Sequence, residues 1–150
     1  MSTTYLIIGT RDQAAAISQR GLSHTQLPTQ QLDPIDEVSF ARLLVFITGR
    51  DYDAVVGGFV DLTPDQPDVD PMDLDNLLAQ VIAIPKDDVI ALAGIQDDRL
   101  AALAEKWCAI EEFKPFNFVA AELQNELSQL RAFARQCVDS QQDLLMRLST

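Results

Sequence analysis

Six aspartates lie close together in residues 60–76, VDLTPDQPDVDPMDLDN, a stretch with three prolines and no lysine, arginine or glutamate. They are Asp61, Asp65, Asp68, Asp70, Asp73 and Asp75. Carboxylates at this density can coordinate a hard cation such as Ca²⁺, cap helices, or present negative charge to a basic partner. The spacing of the aspartates and the residues around them distinguish these three roles.

The strongest calcium pattern is DVDPMDLD, residues 68–75, which offers four carboxylates. An EF-hand loop requires glycine at its sixth position and glutamate at its twelfth. Counted from Asp68, those positions hold Asp73 and Ala79, and Pro71 stiffens the segment that would have to wrap the ion. We therefore predict no metal site, and no cofactor.

Helix capping and turns account for about half of the cluster, because a short carboxylate accepts backbone N–H bonds at such positions. They do not account for the scarcity of basic residues nearby. Residues 51–98 hold twelve aspartates and one basic residue, Lys86, so this third of the chain carries eleven of the twelve net negative charges. The imbalance predicts a surface for a basic protein, in which the six aspartates make contacts. Its apolar centre would be formed by Val55, Val56, Phe59 and Met72.

Other candidates for chemistry are weak. His24 is the only histidine and has no cysteine near it in sequence, and IIGTRDQ has one glycine where a dinucleotide-binding turn has three. Cys108 and Cys137 fit two buried thiols better than a disulfide framework. We predict no catalytic residue and therefore no enzyme.

One alternative is a small enzyme or ligand-binding domain with a pocket near Trp107 and Glu111. These residues are one helical turn apart, so Glu111 borders an apolar stripe, where partial burial would raise its pKa. The structural interpretation, which we prefer, is a carboxylate beside a core tryptophan that pairs with Arg131 or Arg135.

The remaining pattern predicts an α+β domain spanning residues 1–150, with a small sheet of N-terminal, middle and C-terminal strands covered by about five or six helices. The first strand, TYLIIGT, pairs with the last, DLLMRLS. Asp33 caps a second helix that ends at Gly49, and AVVGGFVDL forms a bulged strand or an irregular edge. A long helix carries apolar residues at spacings of three and four; the other alternative is that this helix, residues 119–140, forms a homodimer seam. LSHTQLPTQQL is predicted to be a polar loop.

The chain has no basic, apolar leader at its N-terminus and no apolar stretch of about 18 residues, which favours the cytoplasm. A net charge of −12 should repel nucleic acid and anionic membranes.

The C-terminal segments WCAIEEF, LQNELSQLRAFARQC and LLMRLS resemble a group of small, uncharacterised bacterial cytoplasmic proteins that share a Trp–Glu–Glu helix and an apolar final strand. The chain is also similar in profile to bacterial immunity proteins, which are small, acidic and without catalytic residues. This likeness implies a non-enzymatic immunity protein that masks the active site of a cationic toxin, such as a toxin that targets nucleic acid.

Overall fold

A computed structural model of the protein describes residues 3–18, 26–32, 34–64 and 79–149. Within them the strands are β1 (Thr3–Gly9), β2 (Thr29–Gln31), β3 (Val60–Asp61), β4 (Gln80–Ile84) and β5 (Asp143–Ser149). The α-helices are α1 (Ala14–Ser18), α2 (Glu37–Thr48), α3 (Tyr52–Gly57), α4 (Lys86–Ala93), α5 (Leu100–Cys108) and α6 (Ala120–Ser140). Short 3₁₀ turns cover Arg11–Gln13, Asp97–Arg99 and Glu111–Phe116.

The strands form one antiparallel sheet in the order β2-β1-β5-β4-β3. β1 and β5 pair along their whole length, from Thr3 opposite Ser149 to Gly9 opposite Asp143. β4 pairs with the other side of β5, which places the middle of the chain beside its end. The predicted α+β class and the pairing of the first and last strands are therefore confirmed.

Both faces of the sheet are covered, which explains why its central strands are apolar at nearly every position. Alternate residues such as Ile8, Ile82 and Met146 enter a large core beneath α2, α4, α5 and α6. The residues between them, such as Ile7 and Leu145, pack with Ala14 and Ile17 of α1 on the opposite face.

The two C-terminal helices bury the stripes that their spacing predicted. Leu103, Ala104 and Trp107 of α5 are buried, as are Leu127 and Leu130 of α6. α6 packs against both α4 and α5 of its own chain. Its apolar stripe is thus used inside the fold and is not exposed as the seam that the self-association alternative requires.

Helix α2 begins later than predicted. Its N-cap is Asp36, whose carboxylate accepts a hydrogen bond from the backbone N–H of Ser39, while the Ser39 hydroxyl accepts one from the backbone N–H of Asp36. The prediction of Asp33 as the cap is therefore wrong, because this reciprocal capping box satisfies the free donors at residue 36. The predicted end is confirmed, since Gly49 follows α2 with a positive φ of 75°.

Two local predictions fail for tertiary reasons. AVVGGFVDL is not a bulged strand: Tyr52–Gly57 is helical, since Val55 packs into the core, and β3 is only Val60–Asp61. The predicted polar loop contains an edge strand, Thr29–Gln31, which pairs with β1. The sequence also predicts that a first helix runs to about Arg20 and is ended by Gly21, and that another helix starts at Asp70. These three positions lie outside the described residues.

Candidate functional site

We call three carboxylates at the start of α2 and the end of β3 the acidic edge: Asp36, Glu37 and Asp61. Partial burial is the largest cause of a raised pKa at Glu37, and the charges of Asp36 and then Asp61 raise it further. The fold thus brings Asp61, a predicted contact residue, within electrostatic range of Glu37, which precedes it by more than twenty positions.

Asp61 is held in place by turn chemistry. One of its carboxylate oxygens accepts hydrogen bonds from the backbone N–H of Thr63 at 2.9 Å and from the Thr63 hydroxyl at 2.6 Å. These bonds lower the pKa of Asp61. The Thr63 hydroxyl also accepts a bond from the backbone N–H of Val81, which ties the turn to β4. Asp61 is therefore an ionised carboxylate, fixed in position and exposed to solvent.

Within the described ranges, no lysine or arginine forms an ion pair with any of the three acids of the acidic edge. Asp36 accepts hydrogen bonds from the backbone N–H and the hydroxyl of Ser39. Among the described residues, no paired cation therefore offsets the electrostatic repulsion at this edge, which is the condition under which a cationic partner is attracted.

The predicted apolar contacts are only partly available. Phe59 is half-buried and packs against the large core, so it offers a partner only part of its ring. Val60, next to Asp61, is 39% exposed and Val38, next to Glu37, is 37% exposed. Neither valine was named as a contact from the sequence, and Val60 points to the opposite face of the sheet from Asp61, as successive residues of a strand do. Val55 is fully buried, so the prediction that it contacts a partner is wrong. Asp65, Asp68, Asp70, Met72, Asp73 and Asp75 lie outside the described residues.

Asp88, in the first turn of α4, is different from the acids of the acidic edge. Its side chain is 1% exposed and forms an ion pair with Arg50, the residue that follows Gly49 at the end of α2. Burial raises its pKa, Arg50 opposes that rise, and Asp87 adds to it. The second carboxylate oxygen has no hydrogen-bond partner among the described residues. This aspartate fastens α4 to the end of α2.

Trp107 and Glu111 do not form the expected acid–aromatic pair. Trp107 is fully buried, and its indole N–H donates to the carbonyl of Ser39 at 2.9 Å. Glu111 is exposed and pairs with Lys114 at 3.0 Å. The predicted partial burial of Glu111 is therefore wrong, because the chain leaves α5 after Cys108 and Glu111 begins a separate 3₁₀ turn.

The neighbouring acid makes the contact to the body of the protein instead. Glu112 is partly buried and bonds to Arg42 of α2 at 3.3 Å, while the guanidinium of Arg42 lies 4.2 Å from the ring centre of Tyr52. The predicted partners of Glu111 are engaged elsewhere: Arg131 binds Asp97 at 2.6 Å, and Arg135 donates to the carbonyl of Ala93.

The part of the chain that the structure describes contains neither a metal-ligand cluster nor a membrane-spanning helix. No group of three or more histidine, cysteine, aspartate or glutamate side chains there is arranged to hold a metal ion. None of the helices there is long and apolar enough to cross a membrane.

Comparison with known proteins gives no relative: no family model, no curated protein and no solved structure matches the chain. A function for this chain is therefore inferred from its own residues and their contacts.

Proposed function

We propose that this chain is a non-enzymatic, cytoplasmic protein that binds a basic protein through the acidic edge and the aspartate-rich residues 65–78 that follow it in sequence. The observation that supports the proposal most is the convergence of Asp36, Glu37 and Asp61 without a basic partner among the described residues. Evolution of a stable fold alone would favour lysine or arginine beside such a group.

Binding would proceed in two parts. Clustered carboxylates raise the association rate of a cationic partner by long-range attraction, which is steeply reduced by salt. Affinity then depends on apolar area that loses water at the centre of the interface. Phe59, a predicted contact residue, is half-buried and supplies part of such apolar surface.

The role that best fits these properties is that of an immunity protein for a cationic toxin. A toxin that acts on nucleic acid carries lysines and arginines in its substrate groove, because phosphate contacts dominate such binding. An acidic protein seated over that groove would block the substrate. The same net charge of −12 disfavours direct binding of nucleic acid or anionic membranes by this chain.

The test is affinity capture from the native host at low salt, followed by purification of the captured protein and measurement of its association rate. We expect a basic protein whose association rate falls about tenfold or more between low and moderate salt. Neutralising Asp61, Asp65, Asp68 and Asp70 together to asparagine should weaken binding and leave the protein folded. The captured protein should be toxic when expressed alone and harmless when co-expressed with this chain.

The matched control removes the same charge at exposed positions outside the proposed surface: Asp98, Glu105, Glu111 and Asp139. If the control weakens binding as much as the test variant does, net charge and not the acidic edge determines association. A captured protein that is not toxic would leave the binding proposal intact and rule out the immunity role.

A further inference from the structure

A groove of about 390 Å³ lies between α4, the C-terminal end of α6 and the start of β5. Its apolar walls are Val89 and Ile90 of α4, Val138 of α6 and Leu144 of β5. This volume is within the range of small-molecule sites, which are mostly apolar with a few polar groups. The groove is well separated in sequence from Trp107 and Glu111, where the chain was expected to form a pocket.

Two side chains in the walls of the groove remain exposed to solvent. Ile90 is 56% exposed and Val138 is 40% exposed, whereas the other two apolar wall residues, Val89 and Leu144, are buried. Beneath them, Cys137 is 1% exposed and its thiol donates to the carbonyl of Gln142 at 3.3 Å. Burial is the main cause that raises the pKa of Cys137 to about 11, so the thiol is neutral and the interior of the groove carries no charge.

Three of the lining residues are polar and at least partly exposed, and we call them the rim of the groove: Lys86, Gln141 and Gln142. Lys86 is the single basic residue in the aspartate-rich third of the chain. Gln141 and Gln142 follow the C-terminal end of α6. Gln141 has a positive φ of 57°, a conformation that usually belongs to glycine or asparagine after a helix, yet a long amide side chain is retained there. The rim thus combines one ammonium group with amides that can donate hydrogen bonds.

From this arrangement we propose that the groove binds a small aliphatic monocarboxylate, with its hydrocarbon chain between Ile90 and Val138 and its carboxylate at Lys86. The chemistry of such a ligand matches both parts of the site. The apolar walls accept its hydrocarbon chain, and Lys86 at the rim offers one positive charge to its carboxylate. This binding site is independent of the acidic edge and of the proposed protein partner.

The surrounding charge restricts the ligand to a single negative charge. Asp87 is adjacent to Lys86 and exposed, and Asp143 is close enough to the groove to raise the pKa of Cys137. A phosphate monoester or a dicarboxylate would bring a second negative charge towards these carboxylates, and the described lining residues include no second cation. A monocarboxylate avoids that repulsion.

The test is an NMR titration of the whole protein, with ¹³C-labelled isoleucine, leucine and valine methyl groups, against octanoate. We expect octanoate to shift the methyl signals of Val89, Ile90, Val138 and Leu144, with a Kd of about 1 mM for a ligand of about ten heavy atoms. Octanol, which lacks the charge, and octanedioate, which carries two, should each bind about tenfold more weakly. Lys86→Gln should weaken octanoate binding by a similar factor, whereas Lys106→Gln, an exposed lysine on α5, should leave it unchanged.

Several results would overturn the proposal. If octanoate leaves these four methyl signals in place, the groove does not bind this class of ligand. If octanol binds as tightly as octanoate, or if Lys86→Gln binds octanoate as tightly as the parent does, the carboxylate and Lys86 do not determine binding. If octanedioate binds as tightly as octanoate, the ligand is not restricted to one negative charge. Val138→Asp, at an exposed position, places a carboxylate between the walls and should abolish binding of octanoate; unchanged binding would put the ligand elsewhere.

Discussion

Asp61 and Asp88 come from the same aspartate-rich third of the chain, yet the fold treats them in opposite ways. Asp61 of β3 pairs with Ile82 of β4. Asp88 lies beyond the C-terminal end of β4, in the helix that follows Pro85. Asp61 is exposed, has a lowered pKa and has no cationic partner among the described residues. Asp88 is buried, has a raised pKa and is paired with Arg50.

The contrast shows that local charge density does not determine what each carboxylate does. Asp88 is buried and pairs with Arg50, since an unpaired buried charge is very costly. Where the acid remains in water, backbone and hydroxyl donors hold it in place and no cation is required. The excess charge of this region is therefore concentrated on the exposed acids, and these are the ones available to a partner.

The largest expected effect comes from removing the cation that Asp88 depends on. Arg50→Met leaves a buried carboxylate without its partner and should lower the free energy of unfolding by about 3 kcal/mol at pH 7. Without Arg50 the pKa of Asp88 should rise further, since Arg50 is what lowers it. The loss should therefore shrink as the pH falls and Asp88 becomes protonated. Urea unfolding at several pH values measures both effects.

Arg99→Met is the matched control, because Arg99 is an exposed arginine in the short turn before α5. It should change stability by no more than about 0.5 kcal/mol. If Arg50→Met and Arg99→Met lowered the free energy of unfolding by the same small amount at every pH, Asp88 would not depend on its ion pair with Arg50. The contrast between Asp61 and Asp88 would then disappear.

A smaller effect is expected at the acidic edge. The folded-state pKa of Glu37 is raised, so the folded protein binds this proton more tightly than the unfolded chain, and ionised Glu37 costs stability at neutral pH. Glu37→Gln removes that cost and should stabilise the protein by about 0.5 kcal/mol at pH 7. This stabilisation relative to the parent should disappear as the pH falls through the folded-state pKa of Glu37 towards the ordinary value of 4.5.

Glu105→Gln, at an exposed position on α5, serves as the control and should give no such pH-dependent gain. A Glu37→Gln protein that is less stable than the parent at pH 7 would show that Glu37 makes favourable contacts that outweigh the repulsion. The acidic edge would then not be an uncompensated group of charges.

Much of the fold follows from hydrophobic periodicity. The stripe Leu100, Leu103, Ala104 and Trp107 identified α5 because helical spacing alone places those residues on one side. The apolar runs of β1 and β5 identified two central strands, and Gly49 marked the end of α2. These patterns involve residues close together in sequence, so the elements can be predicted without knowledge of tertiary contacts.

The candidate site depended on contacts that no local pattern contains. Asp36 and Glu37 precede Asp61 by more than twenty positions, and the effect of Asp61 on Glu37 depends on where the fold places α2 and β3. The burial of Asp88 was hidden for the same reason, since Asp87 beside it is exposed and has the same local surroundings in sequence. The pattern DD at the start of a helix predicts capping; it does not say which carboxylate will meet an arginine 38 positions earlier.

The smallest expected effect is also the most direct test of the acidic edge, because it concerns the coupling of two side chains. Asp61→Asn removes one of the charges that raise the pKa of Glu37, so that pKa should fall, while burial and Asp36 keep it above its ordinary value. NMR titration of the Glu37 side-chain carboxyl measures the change, with Asp98→Asn as the control for loss of an exposed aspartate elsewhere. A downward shift in Asp61→Asn alone means that the two carboxylates sense each other and that an incoming cation would be attracted by both. Equal titration curves for the two variants would mean that Asp61 and Glu37 act as separate surface charges, and the convergence on which the proposed interface rests would be lost.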